Sequence, residues 1–312
     1  MRILVVGAGG IGGYFGGRLL EAGRDVTFLV RAGRAAQLAR TGLCLRSPAG
    51  DVDLPGPKLL QAGESAEPFD LVLLSCKAYD LQGAIESMAP YVGANTAILP
   101  LLNGMAHLDA LDASFGPARV LGGMCLIQVT MDADGRILHL APPHVLTFGA
   151  RPGPSVACIA DISAAFAGAR FDVRASDIIL QEMWEKWVFI ATAAGLTCLM
   201  RGTIGDLVAA GGTSLANELL AEAAAIATVQ GFTPRDGALQ RARAMFTAAG
   251  SGLTASMFRD LEQGGRIESE QILGDLLRRG DEAASPVLRI AVLCVKAYEA
   301  RRAREAAARI AA

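Results

Sequence analysis

The chain has 312 residues, about two domains' worth at roughly 150 residues each. Lys and Arg total 29 against 31 Asp and Glu, so the net charge of −2 leaves no basic field to hold nucleic acid or an anionic membrane surface. Hydrophobic residues at 52% and charged residues at 19% exclude a disordered chain and supply a large core.

Arg2–Val6 is a short continuous apolar run, the pattern of a strand buried on both faces of a parallel sheet. Ile11–Ala22 has helical character and stops at Gly23. Asp25–Val30 is a second strand, and Asp70–Ser75 and Thr96–Leu99 repeat the buried-strand signature with Asp80–Ala89 as a crossover helix. This alternation predicts an α/β fold, a doubly wound sheet of Rossmann type with ligand at the carboxyl ends of its strands. Arg119–Gly122, Leu126–Thr130, Arg136–Leu140 and Val145–Phe148 are expected to add a more antiparallel edge, followed by a turn at Arg151–Pro154, a helix at Ala160–Ala167 and a strand at Ala169–Arg174. After Asp177 the texture changes. Ile178–Met200, Thr213–Gln230, Pro234–Ala249, Ser269–Arg279 and Ser285–Ala311 all read as helices, so residues 1–176 are expected to form the nucleotide domain and 177–312 an all-helical domain.

The six cysteines (Cys44, Cys76, Cys125, Cys158, Cys198 and Cys294) form no C-x-x-C pair, and a chain of this length needs no disulfide staples. Reduced thiols in the cytoplasm are expected. With three histidines, His107, His139 and His144, neither a multi-histidine metal site nor a histidine-based triad is expected. The apolar stretch 3–17 behind Arg2 superficially resembles a signal peptide, but glycines interrupt it and no cleavage site follows. Val188–Met200 falls short of the roughly 18 apolar residues of a membrane span.

The strongest local signal is Gly7-Ala8-Gly9-Gly10-Ile11-Gly12, between a predicted strand and a predicted helix. Gly7 permits the tight turn, Gly9 lets a pyrophosphate approach the backbone, and Gly12 permits close helix–strand packing. The second strand ends at Arg31, with Arg34 close behind, where NAD enzymes usually carry an acidic residue for the ribose diol. Guanidinium groups suit a 2′-phosphate, which favours NADP over NAD; two solvated arginines are the bland alternative. Lys77 and Asn103-Gly104 follow two successive strands at their carboxyl ends and so point to a shared site. Lys186 enters an apolar helix in Trp184-Glu185-Lys186-Trp187. It is either a proton donor facing a functional cleft or the partner of Glu182 on an exposed face. Ser256 and Asp260 share a helical face, and Glu268 precedes a predicted helix, where dipole compensation is its plain role.

Taken in order, GAGGIG, Cys76-Lys77, Leu102-Asn103-Gly104, Trp184-Glu185-Lys186, Ser256-Met257 with Asp260, and Glu268 resemble the ketopantoate reductase (2-dehydropantoate 2-reductase) family, part of the superfamily resembling 6-phosphogluconate dehydrogenase. The resemblance covers nearly the whole chain. It implies reduction of a 2-oxo acid by NADPH, with Lys186 protonating the forming alkoxide and Glu268 binding the nicotinamide-side ribose and ordering the cleft. It also implies that Asn103 contacts cofactor and substrate, that Lys77 contacts NADPH, that Ser256 binds the substrate, and that the two domains close to expel water. A homodimer is a further possibility. The family commonly has asparagines one and two turns after its lysine and another after the glycine-rich bend; here these positions are Ile190, Ala194 and Ile204. Thr192, Thr197 and Thr203 are the nearby polar side chains available to substitute. Three functions follow: reduction of 2-dehydropantoate, reduction of a less polar 2-oxo acid, or a non-catalytic NADP-binding sensor, against which Lys186 and Glu268 argue.

Overall fold

The structure, a computed structural model, describes residues 1–311, with side chains to residue 308; Ala312, the last residue of the expected helical domain, lies outside them. Contacts divide the chain into two units, Met1–Leu102 with His107–Ile179, and Asn103–Ala106 with Leu180 onward.

The first unit runs β1 (Arg2–Val6), α1 (Gly10–Glu21), β2 (Asp25–Leu29), α2 (Ala32–Thr41), β3 (Leu43–Arg46), β4 (Val52–Leu54), β5 (Lys58–Leu60), β6 (Leu71–Leu74), α3 (Leu81–Met88), β7 (Ala97–Pro100), α4 (Ala106–Phe115), β8 (Gly122–Met131), β9 (Ile137–Gly149), α5 (Ile159–Phe166) and β10 (Asp172–Ala175). The main sheet is wholly parallel in the order β5-β2-β1-β6-β7. Every residue of β6 and β7 is buried, as a sheet covered on both faces requires. The chain winds outward from β1 through β2 to β5, then returns to the other side of β1 with β6. That reversal places the topological switch point at the carboxyl ends of β1 and β6.

The expected antiparallel edge is corrected. β8 and β9 belong to a second sheet, in which β9 lies between β10 and β3, β3 pairs β4, and β8 pairs β9 antiparallel. The four short strands expected over 119–148 are two long ones, with Pro142 and Pro143 inside the second. In the structure Gln128 pairs with Ala141 and Ile127 with His144, so the prolines fall in a bulge where no ladder N–H is required of them. Arg119 ends a short 3-10 turn instead of opening a strand. Helices α2 and α4 and strands β3 to β5 were not anticipated.

Helix α1 packs against both sheets, and its composition explains how. A Cβ on Gly16 would sit 2.7 Å from the Phe28 ring of the main sheet, and one on Gly13 would sit 2.8 Å from Ile137 of the second. Each glycine costs about 1 kcal/mol of helix propensity relative to Ala, and the close approach of two buried sheets offsets it.

The second unit runs α6 (Ile179–Met200), α7 (Ile204–Ala209), α8 (Thr213–Val229), α9 (Asp236–Phe246), α10 (Ser256–Glu262), a π-helical turn at Glu270–Gly274, α11 (Asp275–Arg278) and α12 (Pro286–Ala311). The helix expected over 234–249 is shorter at both ends, and the one over 269–279 opens with a π-helical turn before an α-helical one. Trp184 and Trp187 anchor α6; Trp184 stacks on Phe232 with ring centroids 5.6 Å apart. Arg235 ties the first turns of α6 down: its backbone N–H and guanidinium donate to the Glu185 carboxylate at 2.9, 2.7 and 2.6 Å. Among the described residues no helix is long and apolar enough to cross a membrane.

Candidate active site

In the first unit, β1 delivers the chain into the glycine-rich loop at the switch point. Gly7 has φ 92°, a left-handed conformation that disfavours any side chain, and its N–H donates to Leu29 O at 3.0 Å. A Cβ on Gly12 would lie 2.1 Å from both Gly7 O and Ser75 Oγ, so this position admits glycine alone. Nothing lies within 4 Å of a Cβ on Gly9, which leaves the loop open above its backbone. Gly9 caps α1 without a side-chain hydrogen bond, and the first turn (Gly10, Ile11, Gly12) carries no acidic residue. The helix end therefore presents its N–H groups and positive dipole to an anion. Within the loop, Ala8 is buried. These features fit a dinucleotide pyrophosphate.

Two residues brace this loop in ways the sequence did not reveal. The Ser75 hydroxyl, at the end of β6, lies 3.0 Å from Val6 O and 3.2 Å from Gly7 O and donates to them. Arg34 is the second brace: its Nε donates to Ala8 O at 3.0 Å, and its Nη1 to Gln37 Oε1 and Gly135 O at 2.6 and 2.9 Å. Its Nη2 is buried without a hydrogen-bond partner, an orphaned donor beside the loop. Arg31 instead is 79% exposed and pairs with Asp80 at 3.0 Å. Lys77 is exposed and opens the 3-10 turn Ala78–Asp80, three residues before that carboxylate.

In the second unit, Lys186 is half-buried on α6, and its Nζ donates to Asn103 Oδ1 at 3.0 Å. Asn103 is in turn held by Gln271, whose Nε2 donates to Asn103 O at 2.9 Å. Gly104 has φ 75°, and a Cβ there would meet Gln271 O at 2.5 Å. Glu268 is buried, 8% exposed, just before the π turn. Ser256 is exposed on the first turn of α10, and the N–H of its neighbour Ala255 donates to Thr197 Oγ1 at 3.5 Å. Thr197 lies eleven residues beyond Lys186, about 16 Å along the helix axis. The structure thus brings Lys186 and Asn103 into direct contact and sets Ser256 beside the far end of the same helix.

The residues between are apolar. Ile190 is half-buried, Ala194 and Ile204 are buried, and Ile204 N donates to Leu253 O at 3.1 Å. The three nearby threonine hydroxyls are each engaged within the protein. Thr192 and Thr197 are buried and donate to the carbonyls of Val188 and Ala193 at 2.8 and 2.7 Å. Thr203 is occupied as the N-cap of α7, in a capping box with Asp206. Among the described residues, no group of three or more His, Cys, Asp or Glu side chains is placed to hold a metal.

A family model described as ketopantoate reductase PanE/ApbA matches residues 3–153, and its C-terminal counterpart matches residues 178–299. The chain belongs to the ketopantoate reductase family. Among curated relatives, an "Uncharacterized oxidoreductase YkpB" of Bacillus subtilis (strain 168) is 38% identical over 307 residues, covering 97% of this chain and 100% of that one. A 2-dehydropantoate 2-reductase structure from Geobacter metallireducens GS-15 is 30% identical with a TM-score of 0.85, covering 95% of this chain and 99% of its own. D-mandelate dehydrogenase, solved with NADH and anilino(oxo)acetate, shares the fold at a TM-score of 0.86 and 19% identity, over 97% of this chain and 99% of its own. This member of the ketopantoate reductase family is an oxidoreductase with a Rossmann-type first unit and a helical second unit.

Proposed function

We propose that the chain catalyses NADPH-dependent reduction of a 2-oxo acid to a 2-hydroxy acid, with 2-dehydropantoate, reduced to pantoate, as the family's first candidate substrate. One observation carries the reading: the half-buried Lys186 ammonium is oriented by Asn103 Oδ1 at 3.0 Å. NADPH, when bound, supplies the hydride. As the keto oxygen gains negative charge, Lys186 stabilises it and donates a proton to it. An ammonium has three donors and no acceptor, so the hydrogen bond to Asn103 leaves two N–H directions for the substrate. The loop from Gly7 to Gly12 holds the pyrophosphate against α1. Arg31 takes the phosphate of the adenosine ribose, and Lys77 contacts NADPH. Glu268 binds the other ribose, Asn103 contacts cofactor and substrate, and Ser256 binds the substrate.

A second reading of the substrate has its own support. Ile190, Ala194 and Ile204 are apolar where the family commonly has asparagine, and the nearby threonine hydroxyls are bound to backbone or to a cap. A substrate hydroxyl buried against them loses its hydrogen bonds, so a 2-oxo acid with an aliphatic or aromatic side chain fits better. NADPH oxidation measured across 2-dehydropantoate, 4-methyl-2-oxopentanoate and phenylglyoxylate tests both readings. The second predicts kcat/KM at least about tenfold higher for an apolar acid. The first predicts the reverse, and no turnover of any 2-oxo acid with NADPH bound would favour a sensor.

A further inference from the structure

The π turn Glu270–Gly274 makes three contacts that converge on Lys186. The Gln271 side chain donates to Asn103 O at 2.9 Å, across 168 residues of sequence. The Gln271 carbonyl fills the space that a side chain on Gly104 would need, 2.5 Å from its Cβ position. The next carbonyl, Ile272 O, accepts the buried indole N–H of Trp187 at 2.9 Å. Trp187 adjoins Lys186, and Lys186 donates to Asn103, so the contacts form a closed circuit: α6, the π turn, the Asn103 turn, and α6 again. An i→i+5 turn is rare and is found frequently at functional sites; here it carries the consecutive residues Gln271 and Ile272.

We propose that Gln271 is a positioning residue, which fixes the Asn103-Gly104 turn so that Asn103 Oδ1 holds the Lys186 ammonium in its working orientation. The proposal rests on the reading of Lys186 as the proton donor. Gln271 touches neither reacting atom; it acts through the Asn103 carbonyl. Without its donor that carbonyl exchanges a fixed partner for water, the turn gains freedom, and the side-chain amide no longer holds one place. Asn103 and Lys186 come from distant parts of the chain, so their mutual geometry depends on such a tie rather than on one rigid element.

The test uses two substitutions in the full-length protein. Gln271→Met keeps the length and apolar body of the side chain and removes the donor. It is expected to lower kcat about tenfold, the effect of one such hydrogen bond, while the NADPH dissociation constant from fluorescence titration stays within about twofold. Gln271→Glu donates only when its carboxyl is protonated. Its activity relative to Gln271→Met is therefore expected to rise as pH is lowered from about 8 toward about 5, near the carboxyl range. A purely structural role would give no such recovery.

A second readout needs no turnover. The chain has four lysines, Lys58, Lys77, Lys186 and Lys296, so acylation by acetic anhydride can be followed at each by mass spectrometry. Gln271→Met is expected to raise labelling of Lys186 relative to Lys58 severalfold. Unchanged relative labelling overturns the proposal whatever the rates do, as does a kcat within about twofold of wild type in Gln271→Met. If the wild-type protein reduces no 2-oxo acid, the proposed function fails, and the labelling still decides whether Gln271 holds Lys186 in place.

Discussion

Arg31 and Arg34 are three positions apart and do different work. Arg34 is spent on Ala8 O, Gln37 and Gly135 O, so its substitution disturbs the glycine-rich loop itself. Arg31 is held by one exposed pair to Asp80, a contact worth at most about 1 kcal/mol and readily exchanged for a phosphate. Arg31→Ala is therefore expected to weaken NADPH binding about tenfold to a hundredfold, the range for a charge-assisted hydrogen bond, and to leave NADH nearly unchanged. Titrating both nucleotides by fluorescence checks this; equal losses would remove the 2′-phosphate from the account. Gly104→Ala belongs to the same scale. A Cβ at φ 75° and 2.5 Å from Gln271 O forces the Asn103 turn apart, and kcat should fall at least about tenfold with NADPH affinity retained. Wild-type kcat in Gly104→Ala would show that the turn adapts freely.

At the scale of elements, the bulge in β9 carries a pH-sensitive histidine, His139. His139 and His144 flank the two prolines and stack at 5.1 Å; Tyr14 Oη lies 2.6 Å from His144 Nδ1, and Ser47 Oγ lies 2.8 Å from His139 Nδ1. Burial first, and then the neighbouring His144, hold His139 below its ordinary value of 6.5. With the folded value depressed, the unfolded chain takes up the proton first. Stability is complete above the unfolded value and is lost as pH falls toward and through the folded one. The melting temperature should drop between about pH 7.5 and 5.5, and His139→Gln should show a smaller drop over that window. Equal drops in the two proteins would place the titration elsewhere. The Glu185–Arg235 clamp titrates lower. Burial opposes ionisation of Glu185, but the hydrogen bonds of Arg235 and Gln181 and the charge of Arg235 outweigh it and hold the carboxyl below its ordinary value of 4.5. With its carboxyl held below 4.5, the clamp does not contribute to the loss expected near pH 6.

Across the whole molecule, what local pattern encodes was legible and what distant pairing decides was not. The first strand, its glycine loop and the parallel sheet could be read because apolar runs and Gly7, Gly9 and Gly12 are contiguous signals. The second sheet could not. Its strand β3 pairs with residues about ninety positions later, and β9 runs through Pro142-Pro143 only because a bulge excuses both from pairing. The candidate site divides in the same way. Lys186 stands out as a cation in an apolar helix, whereas Gln271, Ser75 and the bracing role of Arg34 arise from contacts spanning 168, 68 and 26 residues. No local pattern announces such partners.

The account turns on the Lys186 ammonium as proton donor, and Lys186→Ala measures that most directly. Turnover of the best 2-oxo acid should fall by about a hundredfold to ten-thousandfold, the usual contribution of a general acid, while NADPH titrates with its wild-type affinity. An alanine variant that reduces the same acid at the wild-type rate would contradict it.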